Sequence, residues 1–239
     1  MGAALKYQSY YDQGNINNNT FSGNNTTSTG PVWDYNANFY SNSIYVGTYP
    51  SSNVLVQPTI NNNNIINEGS TYSLFAGTNA FNTTINCENN YWGTTVHQDI
   101  IYDFNDNFNF ATIDYEPYLS TPNTSAPISP PANVLKESSG SAVVLTWDAN
   151  PESDLAGYKI HYGNFTGYSY NTTIDLGNVN TYTLTNVSID SSIAVTAYDG
   201  NIDGTDDQVE GYQSWFAEAN LPPYDGPIWH VSASGSDNN

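Results

Sequence analysis

An asparagine-rich motif recurs along the first half of the chain and constrains the fold more than any other feature. Ile16–Phe21 reads INNNTF, and Ile60–Ile65 reads INNNNI. A looser copy, INCENN, occupies Ile85–Asn90, and a weaker one lies between Asn38 and Ile44. Each copy places Ile or Phe beside a run of Asn. Recurrence of one such unit at a nearly fixed interval indicates structural repeats that stack on each other.

The spacing of the motif predicts the size of one repeat. We take four asparagines as equivalent, and they are separated by steps of 23, 22 and 26 residues: Asn19, Asn42, Asn64 and Asn90. This length suits one turn of a parallel β-helix with three short strands. Stacked strands lie about 4.8 Å apart, so Asn amides can hydrogen-bond along a ladder while Ile and Phe pack inside. No helical periodicity competes, and we predict an all-β fold that contains the end of a parallel β-helix (solenoid).

The end of this region resembles a known family. Asn89–Thr94 reads NNYWGT, and Ile113–Leu119 reads IDYEPYL after an intervening Ile100-Ile101 pair. These stretches are similar to the C-terminal segment of right-handed parallel β-helix proteins, the pectate-lyase-like family and related surface proteins. In that family the segment closes the solenoid before a proline-rich exit. The resemblance implies β-helix turns and a closing segment over residues 1–121.

Proline-rich stretches divide the rest of the chain. Thr121–Pro131 reads TPNTSAPISPP, and Leu221–Pro227 reads LPPYDGP. Prolines at this density favour a stiff, extended linker. We therefore predict a linker over 122–131, a second domain over 132–220, and a proline linker with a terminal strand over 221–239.

The second domain contains runs of alternating apolar residues, as in VVLTW (143–147) and IAVTAY (193–198). We predict seven strands, which span 132–138, 142–148, 156–163, 170–176, 181–187, 191–198 and 210–218. Regular short strands of this kind are typical of a β-sandwich.

This segment resembles a fibronectin type III domain. The resemblance is carried by Pro130-Pro131 at the entry, Trp147 on the second strand, Gly157–Ile160 on the third and Val195–Asp199 on the sixth. One departure is that the corner tyrosine common in that family would fall near Ile193. The fold expected for the whole chain is thus a β-helix end joined to a fibronectin type III-like β-sandwich.

The tail, Ile228–Asp237, resembles the opening strand of another β-helix domain. Such domains often begin with an aromatic and Val-containing strand that runs into Gly-Ser-Asp. The chain therefore resembles an excerpt from a longer protein, or a subunit whose ends are completed by its neighbours. Its opening residues, Met1–Tyr7, lack the apolar core of a signal peptide, so we expect a mature form or a fragment.

The sharpest local motif lies between the sixth and seventh predicted strands. Asp199–Glu210 matches the calcium-loop pattern D-x-N-x-D-G-x5-E at every specified position, with Gly204 at the sharp turn. The predicted Ca²⁺ ligands are Asp199, Asn201, Asp203, Thr205, Asp207 and Glu210. Strands rather than helices flank the loop, and a solvated acidic hairpin is the alternative. We favour calcium because five carboxylates converging without a cation would repel one another.

The charge balance excludes several classes of protein. The chain has 3 Lys plus Arg against 23 Asp plus Glu, for a formal net charge of −20. Nucleic-acid binding and attraction to anionic membranes both need many Lys and Arg side chains, so these two functions are excluded. No apolar run is long enough to insert in a bilayer. A single cysteine with an acidic, Asn-, Thr- and Tyr-rich composition favours a secreted, extracellular or cell-surface bacterial-type protein.

Candidate catalytic groups are few. Four acids lie together at the closing end of the β-helix region and could supply an acid–base pair: Asp103, Asp106, Asp114 and Glu116. At a solenoid cap such residues are more often solvated turn residues. The three histidines fall in different parts of the chain, and Cys87 is expected to be a small core residue. A β-helix lyase would need an Arg or Lys base, and this region offers only Lys6. We predict that the chain is not an enzyme.

These observations favour an extracellular structural or adhesive module. The expected partners are copies of the chain itself, joined head-to-tail into a filament by strand addition at their ends, and polysaccharide is a further partner. Two alternatives remain open: the non-catalytic C-terminal part of a secreted carbohydrate-active enzyme, and a polysaccharide-binding module.

Overall fold

The structure is a computed structural model. It describes residues 2–9, 14–23, 41–48, 58–66, 72–76, 83–102, 104–105, 111–163, 169–200, 208, 211–223 and 226. Within these ranges the chain is nearly all β, with seventeen strands and one six-residue helix. None of the helical structure in these ranges is long and apolar enough to cross a membrane.

The first half of the chain forms three parallel sheets. Its elements are β1 (Gly2–Ser9), β2 (Asn15–Asn17), β3 (Thr20–Ser22), β4 (Ser41–Thr48), β5 (Thr59–Asn61), β6 (Asn64–Ile66), β7 (Tyr72–Ala76), β8 (Thr83–Asn86), α1 (His97–Tyr102), β9 (Phe104–Asn105) and β10 (Ala111–Asp114). The strand orders are β1-β4-β7-β9, β2-β5-β8-β10 and β3-β6. The chain visits the first sheet, then the second, then the third, and repeats. All pairs within these sheets are parallel.

The register confirms the equivalence of the two strongest motif copies. Ile16 lies opposite Ile60, and Phe21 lies opposite Ile65. The third copy is shifted: Thr59 pairs with Asn86, which places Cys87 at the position of Ile60. Cys87 is fully buried in the shared core, as expected of a small core residue.

The predicted steps of 23, 22 and 26 residues are wrong as the spacing of the asparagines that stack. Asn42 lies in β4, opposite Ala3 and Tyr72, and therefore belongs to a different sheet from Asn19. Asn64 lies opposite Thr20. The residues that stack are Asn19, Asn63 and Asn90, separated by 44 and 27 residues. One repeat contains a strand from each of the three sheets, and the sequence between those strands varies in length.

The second half forms two antiparallel sheets. Its strands are β11 (Leu135–Ser139), β12 (Ala142–Thr146), β13 (Leu155–Gly163), β14 (Thr172–Gly177), β15 (Thr181–Thr185), β16 (Ser192–Asp199) and β17 (Ala217–Glu218). The strand orders are β11-β12-β15 and β14-β13-β16-β17. Leu145 from one sheet and Ile160 and Val195 from the other share one buried core. Trp147 follows β12 and packs edge-on against Tyr158, with ring centroids 5.4 Å apart.

Six of the seven predicted strands of this half agree with the structure to within three residues at each end. The seventh, expected over 210–218, is regular only at Ala217–Glu218. Ahead of it the Ser214 hydroxyl, in place of a backbone carbonyl, accepts the Ala197 N–H at 2.9 Å. This side-chain bond interrupts the ladder, leaving a single bridge between Tyr198 and Gln213.

The proline-rich connection is bonded to both halves. On the parallel side, the Asn123 N–H donates to Asn64 Oδ1 at 2.7 Å, and Asn64 Nδ2 donates to the Asn123 carbonyl at 3.0 Å. On the antiparallel side, the Ile128 N–H donates to the Gly211 carbonyl at 3.2 Å. These bonds fix the connection against its neighbours.

Candidate functional site

The predicted calcium loop falls largely outside the described residues. Asp199 is described, as the last residue of β16. It is 4% exposed, and its N–H donates to the Tyr212 carbonyl at 2.9 Å. The other five predicted ligands lie outside the described residues: Asn201, Asp203, Thr205, Asp207 and Glu210. Within the described ranges there is no group of three His, Cys, Asp or Glu side chains close enough to hold a metal ion.

The connection between β12 and β13 supports the base of this loop. The Gly200 N–H donates to the Asp154 carbonyl at 3.2 Å. Glu152 is only 5% exposed, and its carboxylate accepts the Ser129 N–H at 2.9 Å and Asn150 Nδ2 at 3.2 Å. Asp154 Oδ1 is buried without a hydrogen-bond partner among the described residues. Sequence reasoning missed Glu152 because nothing in an acidic stretch marks one carboxylate as buried.

Two of the four acids proposed as an acid–base pair are described, Asp114 and Glu116, and both are exposed. Asp103 and Asp106 lie outside the described residues. Glu116 Oε1 lies 3.5 Å from His97 Nδ1, and the Tyr115 hydroxyl lies 3.0 Å from the same nitrogen. Both members of this ion pair are more than half exposed, so solvent screens it strongly.

His161 and Cys87 are buried groups whose pKa values are shifted from their usual ranges. Burial and the nearby Lys159 charge lower the pKa of His161 to about 4. Its ring nitrogens lie 3.1 Å from the Thr173 hydroxyl and 2.9 Å from the Thr196 hydroxyl, so the neutral ring is held at both ends. Burial, with the Asp114 charge, raises the pKa of the Cys87 thiol well above its usual value. Neither group is poised for acid–base or nucleophilic chemistry near neutral pH.

Strand β1 forms an edge of the first parallel sheet. It pairs with β4 from Gly2 to Ser9, and no other described strand lies on its other side. In a parallel strand, successive residues point their N–H and C=O groups to opposite sides. Half of the backbone groups of β1 therefore face away from β4. Such an edge is a template for pairing with another strand.

Comparisons with known proteins identify no family. No family model matches the chain. No curated protein matches it either. Among solved structures, it is similar to the crystal structure of the Clostridium perfringens spore cortex lytic enzyme SleM. That similarity is 21% in sequence identity, with a TM-score of 0.29, and covers 41% of this chain and 29% of that one.

Proposed function

We propose that this chain is an extracellular, non-enzymatic structural or adhesive module, and that copies of it associate head-to-tail by strand addition. In this proposal, parallel β-helix turns carry a fibronectin type III-like sandwich. The observation that carries the proposal is the edge position of β1, an eight-residue strand with one described neighbour.

The β-helix assignment is supported by the order in which the chain visits its three parallel sheets. Their side chains fill one shared core, and the stacked Asn19, Asn63 and Asn90 link successive turns. The fibronectin type III-like assignment is supported by the three-plus-four strand arrangement and by the buried Trp147 beside it.

The occupant proposed for the β1 edge is the tail of a neighbouring copy. Residues 227–239 lie outside the described residues, and their role rests on sequence. The stretch WHVS (229–232) alternates apolar and polar residues after a proline linker, a pattern that suits an added edge strand. Main-chain hydrogen bonds would supply the affinity, and the linker would let the tail reach another molecule.

Calcium is proposed as a stabiliser of the acidic loop. Support comes from the base of the loop, where the buried Asp199 lies at the end of β16 and the unpartnered Asp154 Oδ1 belongs to the connection bonded to Gly200. A divalent cation would neutralise the repulsion between the carboxylates of the motif.

Sedimentation velocity and negative-stain electron microscopy of the full chain over a range of concentrations test the assembly. We expect linear oligomers that lengthen with concentration and that disappear when 227–239 are deleted. The variants Lys6→Pro and Tyr7→Pro form a matched pair, because consecutive N–H groups of β1 point to opposite sides. One of the two substitutions removes a backbone N–H that points away from β4, and it should block assembly while leaving the fold intact. The other removes a bond to β4 and should lower the melting temperature.

Discrete monomers at every concentration would refute head-to-tail assembly. The same samples with and without EGTA test calcium separately. Chelation should lower the melting temperature of the antiparallel half, whereas identical melting in both conditions would exclude the calcium loop.

A further inference from the structure

A groove of about 550 Å³ lies where the two halves meet, and we call it the junction groove. Its lining includes β3 and Pro127, Ile128 and Pro130 of the linker. The antiparallel half contributes Gln208 and residues between Gly211 and Trp215. This volume falls within the range of small-ligand sites, about 300–1,000 Å³. The groove lies beside β3 rather than β1, so strand addition at β1 does not require it.

Trp215 supplies a broad apolar surface in this groove. It is 54% exposed, unusual for the largest apolar side chain. Its indole packs edge-on against Phe216, with ring centroids 5.4 Å apart, and Phe216 in turn packs against His161 at 4.9 Å. Aromatic packing thus holds the indole in place, and the side chain is more than half exposed.

Neutral hydrogen-bonding groups beside Trp215 are also held in place. Gln208 Nε2 donates to the Ser214 carbonyl at 3.0 Å, and Gln213 Nε2 donates to the Thr196 hydroxyl at 2.9 Å. In the same lining, the Thr20 hydroxyl donates to the Pro127 carbonyl. Fixed amides and hydroxyls of this kind orient a polar ligand at low entropic cost.

The lack of charged side chains in the described lining of the groove limits the class of ligand that it could bind. None of the described side chains that line it is charged, although the chain carries a formal net charge of −20. The field of the whole protein repels polyanions, and the described lining of the groove offers no carboxylate to attract a cation. A neutral ligand with apolar ring faces and many hydroxyls complements both the indole and the amides.

We propose that the junction groove binds a neutral polysaccharide of β-1,4-linked hexopyranoses. The flat C–H faces of such sugars stack on Trp215, and their hydroxyls exchange hydrogen bonds with Gln208, Gln213 and β3. This gives the adhesive part of the proposed function a ligand class and rests on that function only for its biological role. Loss of assembly would leave sugar binding intact.

Isothermal titration calorimetry of the full chain with cellohexaose and mannohexaose tests the site. At least one of the two should bind saturably, and Trp215→Ala should weaken binding at least tenfold, or about 1.4 kcal/mol. Trp215→Phe keeps an aromatic face and should retain most of the affinity. Leu221→Ala removes another exposed apolar side chain, 62% exposed and outside the groove, and should change nothing. Circular dichroism melting checks that every variant is folded.

Three results would overturn the proposal. The first is the absence of saturable binding to both neutral oligosaccharides. The second is equal affinity of Trp215→Ala and the unmodified protein. The third is tighter binding of an oligogalacturonate or of a proline-rich peptide, which would make the groove a site for acidic sugars or for protein.

Discussion

The two halves of the molecule are both built from strands, but they fill their interiors with different chemistry. In the parallel half, fully buried Asn63, Asn64 and Asn90 lie among the apolar residues. In the antiparallel half, the shared core is formed by apolar side chains such as Leu145, and the buried polar residues are of several kinds, among them Glu152, His161 and Asp199.

Repetition explains the difference. In stacked parallel strands the same position recurs in each turn, so a buried amide meets an identical amide above and below it. Asn19 Nδ2 donates to Asn63 Oδ1 at 3.0 Å, and Asn63 Nδ2 donates to Asn90 Oδ1 at 3.0 Å. Antiparallel neighbours are not equivalent, and each buried polar group there needs an individual partner. Parallel stacking therefore lets buried asparagines satisfy one another, whereas each buried polar group of the antiparallel half needs a different partner.

Asn19, Asn63 and Asn90 form a ladder of side-chain hydrogen bonds. The largest expected effect comes from Asn63, its middle residue. Asn63→Ala removes the acceptor of the Asn19 N–H and the donor to the Ile16 carbonyl, and it leaves Asn90 Oδ1 short of one partner. Each buried group left unsatisfied costs roughly 1–3 kcal/mol. We expect a loss of about 4 kcal/mol in the free energy of unfolding, measured by urea denaturation.

Asn17→Ala is the control for the ladder, because Asn17 lies in the same motif but is exposed. It should change the free energy of unfolding by less than about 0.5 kcal/mol. Equal losses in the two variants would mean that the ladder contributes nothing specific to the parallel half.

The sequence predicted the antiparallel half better, for a physical reason. There, alternation within a single strand, as in β12, shows which residues face the core without reference to the partner strand. In the parallel half, partners lie 27 to 44 residues apart through connections of unequal length. The INNN motif identified the strands that stack, but it could not distinguish Asn42 from Asn63. The junction groove could not be predicted from the sequence, because β3 and Trp215 lie far apart in the chain and come together only in the folded structure.

Acidification should lower the stability of the antiparallel half more than that of the parallel half, and this effect should be smaller than that of Asn63→Ala. The buried amides of the parallel half do not titrate, whereas His161 of the antiparallel half does. Its folded-state pKa of about 4 lies below the usual 6.5, so on acidification the unfolded chain takes up the proton first. The stability contributed by the neutral ring is complete above pH 6.5 and is lost as the pH falls toward 4. We expect this loss to reach up to about 3 kcal/mol.

The His161→Gln variant isolates this effect. A glutamine amide can bond to the Thr173 and Thr196 hydroxyls but does not titrate. Its free energy of unfolding, measured by urea denaturation between pH 4 and 7, should vary less with pH than that of the unmodified protein. If the free energy of unfolding depended on pH equally in the two proteins, groups other than His161 would cause the acid sensitivity.

The smallest expected effect concerns the turn that precedes each ladder residue. Asn18, Asn62 and Asn89 have φ of 54°, 58° and 59°, so the left-handed conformation recurs ahead of each of the three stacked asparagines. Asparagine tolerates this conformation better than other non-glycine residues, and alanine pays about 1 kcal/mol for it. Asn62→Ala should therefore lower the free energy of unfolding by about 1 kcal/mol, whereas Asn62→Gly should stay near the unmodified value. The antiparallel hairpin at Gly140, φ 63°, uses glycine for the same conformation. If Asn62→Gly were as damaging as Asn62→Ala in urea denaturation, the side chain of Asn62 rather than its backbone would be what the repeat requires.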